Sequence, residues 1–366
     1  MRNPLSSFSR KQLIIGVSVA VLAVGGVVLG LTLSTSAPRA ITPRPTTTTT
    51  TVPPTTTSTT APVPPIRCPL TGLPAPRGKV PARPALAVKV GNEPDGARPQ
   101  SGLNEADIVF DTPAEGFIMR YIAVFQCENA ASIGPTRSVR WVDWHLVRQF
   151  IHPILAFAGG INPNVDQVAA FNWLRSANLL EGAAAAGHRT TNRVPPDNLY
   201  TSTAALYGLF PKSNRAPKPV FTYSAALASG SAPVTTVGIN FSYGTDVVWK
   251  WDAPIQGWLH TYSGVPDVDT LTGKPVTATN VVMIVVDYHF GPHAESTGGS
   301  GDFESQTVGS GTGWILRNGR QIKITWTRPY LISPFTFRHG KEKVALAPGR
   351  TWVELVPKGT ATRFTS

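Results

Sequence analysis

Polar side chains of the kind that bind oxyanions gather between residues 98 and 140. Guanidinium groups bind phosphate or carboxylate through two parallel hydrogen bonds, and a helix N-terminus adds backbone N–H donors. Ser138 stands among arginines just before a predicted helix, so this segment could hold such a group. The candidate ligand-binding residues are Arg98, Gln100, Ser101, Glu105, Asp107, Glu115, Arg120, Arg137, Ser138 and Arg140, with Asn198 further along the chain.

The same residues could instead form a structural lattice of ion pairs that stabilises the fold without any ligand. In that case Arg98, Arg120, Arg137 and Arg140 pair with Glu105, Asp107 and Glu115. The sequence leaves both interpretations open. A structure separates them, because it shows whether these side chains converge on an open pocket or are buried against one another.

Motifs of the common enzyme classes are absent from the sequence. Gly-Lys occurs at Gly78, Gly273 and Gly340, but no Ser or Thr follows, so there is no phosphate-binding loop. The sequence also lacks G-x-S-x-G, H-E-x-x-H, S-x-x-K and C-x-x-C, which weakens the case for serine hydrolases, zinc proteases, penicillin-recognising enzymes and thioredoxins. We expect no cofactor.

One cluster has the composition of a metal site, namely Asp287, His289, His293 and Glu295. Imidazole and carboxylate groups are common ligands of divalent ions. This stretch runs into a Gly- and Ser-rich segment that is typical of a mobile surface loop, so the sequence predicts no metal site. Four other histidines are isolated in the sequence and are expected to be structural: His145, His152, His188 and His260.

An uncharged apolar run from residue 13 to residue 33 is long enough to cross a bilayer once as a helix. Basic residues precede the run at Arg2, Arg10 and Lys11, which predicts a cytoplasmic segment over 1–12 and an extracytoplasmic C-terminal part. The alternative is a cleaved signal peptide. Its apolar region is usually shorter, about 7–15 residues, and a good cleavage signal is missing here.

Residues 34–66 are rich in Thr and Pro and contain almost nothing that could form a core. Such segments stay extended, so we expect a disordered linker that lifts the following domain away from the membrane. The chain carries a formal net charge of +12, and all 21 acidic residues follow the linker. The part over 67–366 keeps +7 of this charge, which favours anionic envelope polymers or lipids as partners, or an envelope protein. The basic residues are scattered, so simple solubility explains the charge equally well. The compartment makes nucleic acid an unsuitable partner.

The chain contains two cysteines, Cys68 and Cys127. An even pair in an oxidising compartment predicts one disulfide that closes a long loop. Two separate buried thiols are the alternative. A metal site built on the pair has no support, since no second pair or nearby His completes a ligand set.

Apolar runs between residues 85 and 158 predict short strands, mixed with helices near 139–150 and 165–171 and a helix that Ser202 caps. Asn164 is the predicted N-cap of the second helix. After residue 231 the runs predict strands alone, with Asn318-Gly319 as a hairpin turn. The sequence thus predicts an α+β fold, with a mixed β/α N-terminal lobe (67–230) and a β-rich C-terminal lobe (231–366), preceded by one transmembrane helix and a disordered stalk.

A series of motifs in fixed order resembles the YerB-like family, bacterial envelope proteins often described as lipoproteins with a domain of unknown function. The motifs include CPLTGLP from Cys68, RPALAVKVGN from Arg83, ARPQSGLNEADIVF from Ala97, EGFIMRYIAVFQ from Glu115, IGPTRSVR from Ile133, PDNLYTS from Pro196, VVWKWD from Val247, NVVMIVV from Asn280 and APGRTWVELVP from Ala347. The resemblance implies an α+β fold whose N-terminal lobe carries the Arg/Glu motifs. It implies no activity. Members often carry a lipid-modified Cys after the apolar run, where this chain has a Thr/Pro-rich linker.

Three functions remain compatible with these features. The first is a non-catalytic envelope module that binds an anionic wall polymer, a lipid-linked precursor or a protein partner through the arginines. The second is an envelope hydrolase or transferase in which Glu105, Asp107 or Glu115 acts as acid or base and an arginine stabilises developing charge. The third is a structural or assembly protein whose charged motifs only stabilise it.

Overall fold

Strands dominate the computed structural model, which describes residues 64–241, 246–294 and 301–366. Strand accounts for 42% and helix for 12%, so the molecule is mainly β with a few short helices. The helices fall in the first half of the chain. The described residues after 231 form strands without helices, as the sequence pattern predicts.

The first half contains short strands and helices. Its strands are β1 (Leu86–Val90), β2 (Ile108–Pro113), β3 (Met119–Phe125), β4 (Ile154–Phe157), β5 (Arg175–Asn178), β6 (Gly187–Arg189) and β7 (Leu199–Thr201). Its α-helices are α1 (Trp141–Val147), α2 (Asn162–Ala170) and α3 (Thr203–Leu209). Single 3-10 turns span Pro76–Gly78, Glu115–Phe117, Arg148–Phe150 and Ala184–Ala186.

The described part of the second half consists of strands and their connections. The strands are β8 (Ala232–Pro233), β9 (Thr236–Asn240), β10 (Asp246–Asp252), β11 (Gly257–Tyr262), β12 (Val265–Pro266), β13 (Val268–Asp269), β14 (Lys274–Pro275), β15 (Thr277–Ala278), β16 (Asn280–Val286), β17 (Tyr288–Ala294), β18 (Gly301–Ser305), β19 (Gly309–Arg317), β20 (Arg320–Arg328), β21 (Thr336–His339), β22 (Glu342–Lys343), β23 (Thr351–Pro357) and β24 (Ala361–Thr365).

A main sheet joins strands from both predicted lobes. Its order is β22-β21-β20-β19-β16-β23-β2-β3-β1-β4-β5, with β8 beside β20. The strand β23 lies parallel to both β16 and β2, which brings a segment near the C-terminus between the two halves of the chain. The predicted lobes therefore meet in one continuous sheet.

Both faces of the central strands of the main sheet are buried. Every residue of β1, β2, β3 and β23 is buried, and alternate residues enter different apolar clusters because successive side chains point to opposite faces. Val88 packs in the cluster that contains Trp249 of the second sheet. Ala87 packs in the cluster that contains Val142 of α1 and Val168 of α2. The main sheet is thus a middle layer between a second sheet and helices.

The second sheet has the order β12-β11-β10-β9-β24, with β15 beside β11. Its core side chains Trp249 and Trp258 are fully buried against the main sheet. The main sheet contributes a tight hairpin on the same side, where Asn318 and Gly319 link β19 to β20 with φ of 52° and 64°. This confirms the predicted Asn-Gly turn.

Two predicted helix starts have different outcomes. The Ser202 side chain accepts a hydrogen bond from the backbone N–H of Ala205, so Ser202 is the N-cap of α3 as predicted. The prediction for Asn164 is wrong, because α2 begins earlier, after Ile161. Pro163 occupies the first turn, where its fixed φ favours helix initiation.

Cys68 and Cys127 form the predicted disulfide, with a Cα–Cα distance of 6.1 Å and a sequence separation of 59. Both cysteines are buried and pack against Ala75 and Val80. The bridge ties the segment before β1 to the residue that follows Gln126 at the end of β3.

The predicted membrane anchor and the predicted loop after Glu295 lie wholly or partly outside the described residues. Across 64–241, 246–294 and 301–366, no helix has the length and apolar character needed to span a membrane. The predicted anchor over 13–33 lies outside the described residues, as does most of the predicted linker. His289 lies on β17, which pairs with β18. Of the Gly- and Ser-rich segment predicted as a loop, Gly301–Ser305 form β18, and residues 295–300 lie outside the described residues.

Candidate functional site

Two of the predicted arginines meet on a carboxylate that the sequence prediction did not include. Arg120 lies on β3, and Arg137 lies in the segment before α1. Both donate to the same oxygen of Glu93, with Arg137 Nε at 2.9 Å from Oε1. Burial raises the pKa of Glu93, but the charge of Arg120 and the hydrogen bond from Arg137 outweigh it and hold this pKa below its ordinary value. Glu93 is therefore ionised.

A third predicted arginine forms a bidentate pair beside them. Arg140 Nε lies 2.8 Å from Oε1 of Glu115, and Arg140 Nη2 lies 2.8 Å from Oε2. Burial raises the pKa of Glu115, and the hydrogen bond and charge of Arg140 more than reverse that effect. Glu93, Glu115, Arg120, Arg137 and Arg140 together form what we call the arginine cluster. Their side chains are 7–27% exposed, so solvent reaches its edge.

Beneath the arginine cluster lies a fully buried ion pair. Lys89 of β1 has its Nζ 2.6 Å from Asp143 Oδ1, and both side chains have no exposed surface. Burial lowers the pKa of Lys89, and Asp143 opposes that shift. Asp143 also accepts the backbone N–H of Arg140 at 2.8 Å. The backbone N–H of Arg140 is therefore satisfied by a carboxylate in the first turn of α1, that of Asp143.

Other predicted residues lie elsewhere. Arg98 pairs with Asp267 and Asn92, and Gln100 donates to Asn92 at 2.8 Å. Arg98 also stacks over the ring of Tyr262 at 4.4 Å. These contacts turn Arg98 toward the second sheet and away from the arginine cluster.

The two carboxylates Glu105 and Asp107 have different surroundings. Asp107 accepts the backbone N–H groups of Gln126 at 2.6 Å and Cys127 at 3.1 Å. Burial nevertheless raises its pKa to about 7. Glu105 lines a pocket of about 500 Å³ together with Arg350, and burial and the charge of Asp269 raise its pKa.

The small polar candidates make local contacts. Ser101 Oγ donates to the carbonyl of Ser132 at 3.0 Å, and Asn198 accepts from Arg189 at 2.6 Å. Ser138 is half-buried next to Arg137. Of the eleven candidates, the structure brings together Glu115, Arg120, Arg137 and Arg140, with Ser138 beside Arg137, and it places the other six apart.

A second constellation lies in the interior, where the sequence prediction placed none. Asp111 of β2 is paired in register with Glu354 of β23, so both carboxylates stand side by side on one face of the main sheet. His260 of β11 reaches them from the second sheet. One ligand atom of each residue lies within 4.8 Å of the others, and all three residues are at most 1% exposed.

Burial dominates the protonation of this constellation. It raises the pKa of Asp111 well above its ordinary value, with the neighbouring Glu354 adding to the shift. It raises the pKa of Glu354 to about 7 and lowers that of His260. Trp249 Nε1 donates to Glu354 at 2.7 Å, and the ring of Trp352 stacks on that of His260 at 5.0 Å. Such a group of buried carboxylates and imidazole can hold a proton or a divalent ion.

The sequence contains a signal that could have identified Asp111 and Glu354. Asp111 stands in IVFDTP and Glu354 in TWVELVP, so each is a charged residue inside an otherwise apolar strand. Charged residues are almost never fully buried unless they are paired or bind a metal. The metal-like cluster that the sequence does display has other contacts. Asp287 lies 3.3 Å from Lys358, and His289 lies 2.6 Å from Glu304.

Comparison with known proteins gives a consistent assignment. The model of the "Protein of unknown function (DUF3048) N-terminal domain" matches residues 70–216, and that of the corresponding C-terminal domain matches residues 237–353. The chain is 30% identical over 304 residues to "Putative lipoprotein YerB" of Bacillus subtilis, covering 80% of this chain and 86% of that protein. The crystal structure of the Bacillus subtilis YerB protein matches with a TM-score of 0.71 at 25% identity, covering 81% of this chain and 99% of that one.

The matched regions coincide with the part of the chain that forms the main sheet, the second sheet and the arginine cluster. The N-terminal domain model matches before the C-terminal one along the chain. The similarity to the relative and to the solved structure extends over about 80% of the chain. This protein belongs to the YerB-like family of DUF3048 proteins.

Proposed function

We propose that this protein is a membrane-tethered module of the cell envelope that binds an anionic ligand at the arginine cluster. The ligand is a phosphate- or carboxylate-bearing wall polymer or lipid-linked precursor. An acidic surface of an envelope protein would offer the same chemistry. The observation that carries the proposal is the convergence of Arg120 and Arg137 on a single oxygen of Glu93 at a partly exposed edge.

The donors of this cluster exceed its acceptors. A guanidinium group carries five N–H donors. Arg120 and Arg137 both donate to Oε1 of Glu93, whose Oε2 has no hydrogen-bond partner among the described residues. Among the described residues, Arg120 Nε has no hydrogen-bond partner. Asp197 lies 3.7 Å from Arg137 Nε and supplies a weaker contact. An incoming oxyanion would use the remaining donors.

Compartment and charge support the same function. A disulfide fits an oxidising, extracytoplasmic location, and the relative is described by its name as a lipoprotein. The folded part over 67–366 carries a formal net charge of +7, which favours association with anionic polymers and membranes. We infer a single membrane span over 13–33, with the folded part outside the cytoplasm.

A second candidate function is an envelope hydrolase or transferase, and one observation favours it. Glu105 has a raised pKa and shares a pocket of about 500 Å³ with Arg350, which suits a general acid beside a cation that stabilises developing negative charge. Asp107 and Glu115 suit this role less, since backbone amides and Arg140 engage them. Replacing Glu105 by Gln should then abolish turnover of wall glycopolymer while leaving ligand binding intact.

Binding to polyphosphate and to vesicles that contain phosphatidylglycerol tests the first function. Arg137→Gln should weaken binding by tenfold or more, a factor worth about 1.4 kcal/mol. Glu93→Gln should strengthen it, because it removes the carboxylate that competes for the guanidinium groups. Binding should also weaken as salt rises. Arg338→Gln, at an exposed position of β21, is the matched control and should bind like the wild type.

In a binding site, Arg137→Gln lowers the affinity for the anion and Glu93→Gln raises it. These opposite changes in affinity distinguish a binding site from a structural lattice. In a lattice both variants lose thermal stability, and neither changes binding. Equal binding by the two variants, or no binding by the wild-type protein, would contradict the proposed function.

A further inference from the structure

We propose that Asp111, Glu354 and His260 form a binding site for a divalent transition-metal ion, with zinc as the ion that fits best. The site lies between the two sheets and is separate from the arginine cluster. It does not depend on the proposed function. The proposal stands on the geometry of the three side chains and on their unpartnered atoms.

The fold positions the ligands from three different segments. Asp111 and Glu354 come from neighbouring parallel strands, β2 and β23, in direct register. His260 comes from β11, whose sheet packs on the same face. Because all three lie on strands rather than in loops, their ligand atoms are held within 4.8 Å of one another.

Unpartnered atoms point to an occupant. Within the described part of the chain, Nε2 of His260 has no hydrogen-bond partner, and the oxygens of Asp111 and Oε2 of Glu354 have none apart from the contact between these two carboxyl groups. The residues are at most 1% exposed. Buried polar groups are nearly always satisfied, and burying an ionised carboxylate without a partner is strongly unfavourable. A cation at this point satisfies all of these atoms together.

The histidine is oriented for metal binding by a carboxylate behind it. His260 Nδ1 contacts Asp267, so Nδ1 carries the proton, and Nε2, which has no hydrogen-bond partner among the described residues, keeps its lone pair for a metal ion. A carboxylate behind the imidazole fixes the tautomer and raises the basicity of the ligand nitrogen, as in many metal sites. Arg98 pairs with the same Asp267 and holds it in place.

The ligand set selects the ion. One imidazole nitrogen and two carboxylates suit zinc and related first-row ions, whereas calcium and magnesium prefer oxygen ligands alone. A divalent ion also balances the two carboxylates electrically. Lys89 cannot serve this purpose fully, since Asp143 engages its ammonium group at 2.6 Å.

A route to the site is available. A pocket of about 340 Å³ is lined by Arg98, Tyr262 and Asp267 among others. Arg98 lies over the Tyr262 ring, and movement of this flexible side chain would open a path to His260. The ion would then join a strand of the second sheet to two strands of the main sheet and stabilise their packing.

The test uses the full chain, purified in detergent without a polyhistidine tag or chelator. Elemental analysis should find stoichiometric zinc. After chelation, added zinc should raise Tm by several degrees, since an ion that binds only the folded state stabilises it by mass action. Glu354→Gln and His260→Gln should lose both the metal and the Tm response. His289→Gln removes an exposed His that contacts Glu304 and should keep both, which makes it the matched control.

Two measurements keep the proposal falsifiable if a variant does not fold. X-ray absorption at the zinc edge of the wild-type protein should show nitrogen and oxygen ligands, including one imidazole, without sulfur. The opposite result is a protein that neither retains zinc nor changes Tm when zinc is added. That result would overturn the metal site. If Asp111→Asn also made the protein more stable, the cause would be a pair of carboxyl groups, Asp111 and Glu354, that share a proton. Anion binding at the arginine cluster is measured separately, so either proposal can fail alone.

Discussion

Interior carboxylates of this protein are balanced in different ways, and the balance sets their charge. Glu93 and Glu115 contact guanidinium groups, so their pKa values lie below the ordinary value and they are ionised. Asp107 accepts hydrogen bonds from backbone N–H groups, and burial raises its pKa to about 7. Asp107 therefore changes its charge near neutral pH.

Asp107→Asn should reduce the pH dependence of stability. Because the pKa in the folded state exceeds the ordinary value of 3.8, the folded protein holds the proton more tightly than the unfolded chain. The contribution of Asp107 is fully present below the unfolded pKa and is lost as pH rises through about 7, at up to about 1.4 kcal/mol per pH unit. Urea unfolding at several pH values should give a flatter curve for Asp107→Asn.

The control for this change is Asp166→Asn, at an exposed position of α2, which should follow the wild-type curve. The Asn side chain keeps a carbonyl oxygen for the N–H groups of Gln126 and Cys127, so the fold should survive. Asp111 and Glu354 add pH dependence of the same sign. Only the difference between wild type and Asp107→Asn therefore reports on Asp107, and a difference of zero would refute the assignment.

The sequence predicted part of the site because it shows where arginines and carboxylates stand. It does not show which carboxylate each arginine contacts, since that depends on the folded chain. Arg120, Arg137, Arg140 and Glu115 stand in motifs, and they lie together. Glu93 comes directly after the motif that ends at Asn92, and only the folded chain brings it to two arginines. Whether the cluster binds a ligand stays a prediction.

At the scale of elements, apolar runs located the central strands well. Strands such as β1 and β3 are buried on both faces, so apart from Lys89 and Arg120 they consist of apolar residues. The position of β23 between β16 and β2 could not be read in this way, because parallel pairing joins segments far apart in sequence. The site formed by Asp111 and Glu354 depends on this pairing.

Two glycines in similar turns should respond differently to alanine. Gly319 and Gly264 both have positive φ, 64° and 76°, in two-residue hairpin turns. A Cβ at Gly319 would lie 2.8 Å from Nε1 of Trp251, whereas a Cβ at Gly264 meets nothing within 4 Å. Gly264→Ala should cost about 1 kcal/mol for the backbone alone. Gly319→Ala should cost clearly more.

Urea unfolding of both variants checks this expectation, and Gly264→Ala serves as the control for backbone strain. The excess loss at Gly319 measures contact between the β19–β20 hairpin and β10 of the second sheet, which carries Trp251. Equal losses would show that Trp251 moves aside freely and that this contact contributes little to packing.

The whole molecule combines a continuous sheet with an N-terminal part, 1–63, that lies outside the described residues. Strands from both halves build the main sheet, and a disulfide ties the segment before β1 to the end of β3. Function at a membrane then depends on whether the apolar run over 13–33 is retained. Composition favours retention, because the run is longer than the apolar region of a typical signal peptide.

The full chain expressed in a bacterium should stay in the membrane fraction after an alkaline carbonate wash, with its N-terminus intact. Val21→Arg combined with Val24→Arg should release it, since each charge at the centre of a span costs about 2.5–3.5 kcal/mol. Thr48→Arg with Thr55→Arg places the same charges in the linker and should leave the chain bound. If the wild-type chain were instead recovered in soluble form, shortened to a start beyond residue 33, the run would be a cleaved signal peptide. The folded domain would then act free of the membrane, and any contact with lipid would depend on its own basic surface.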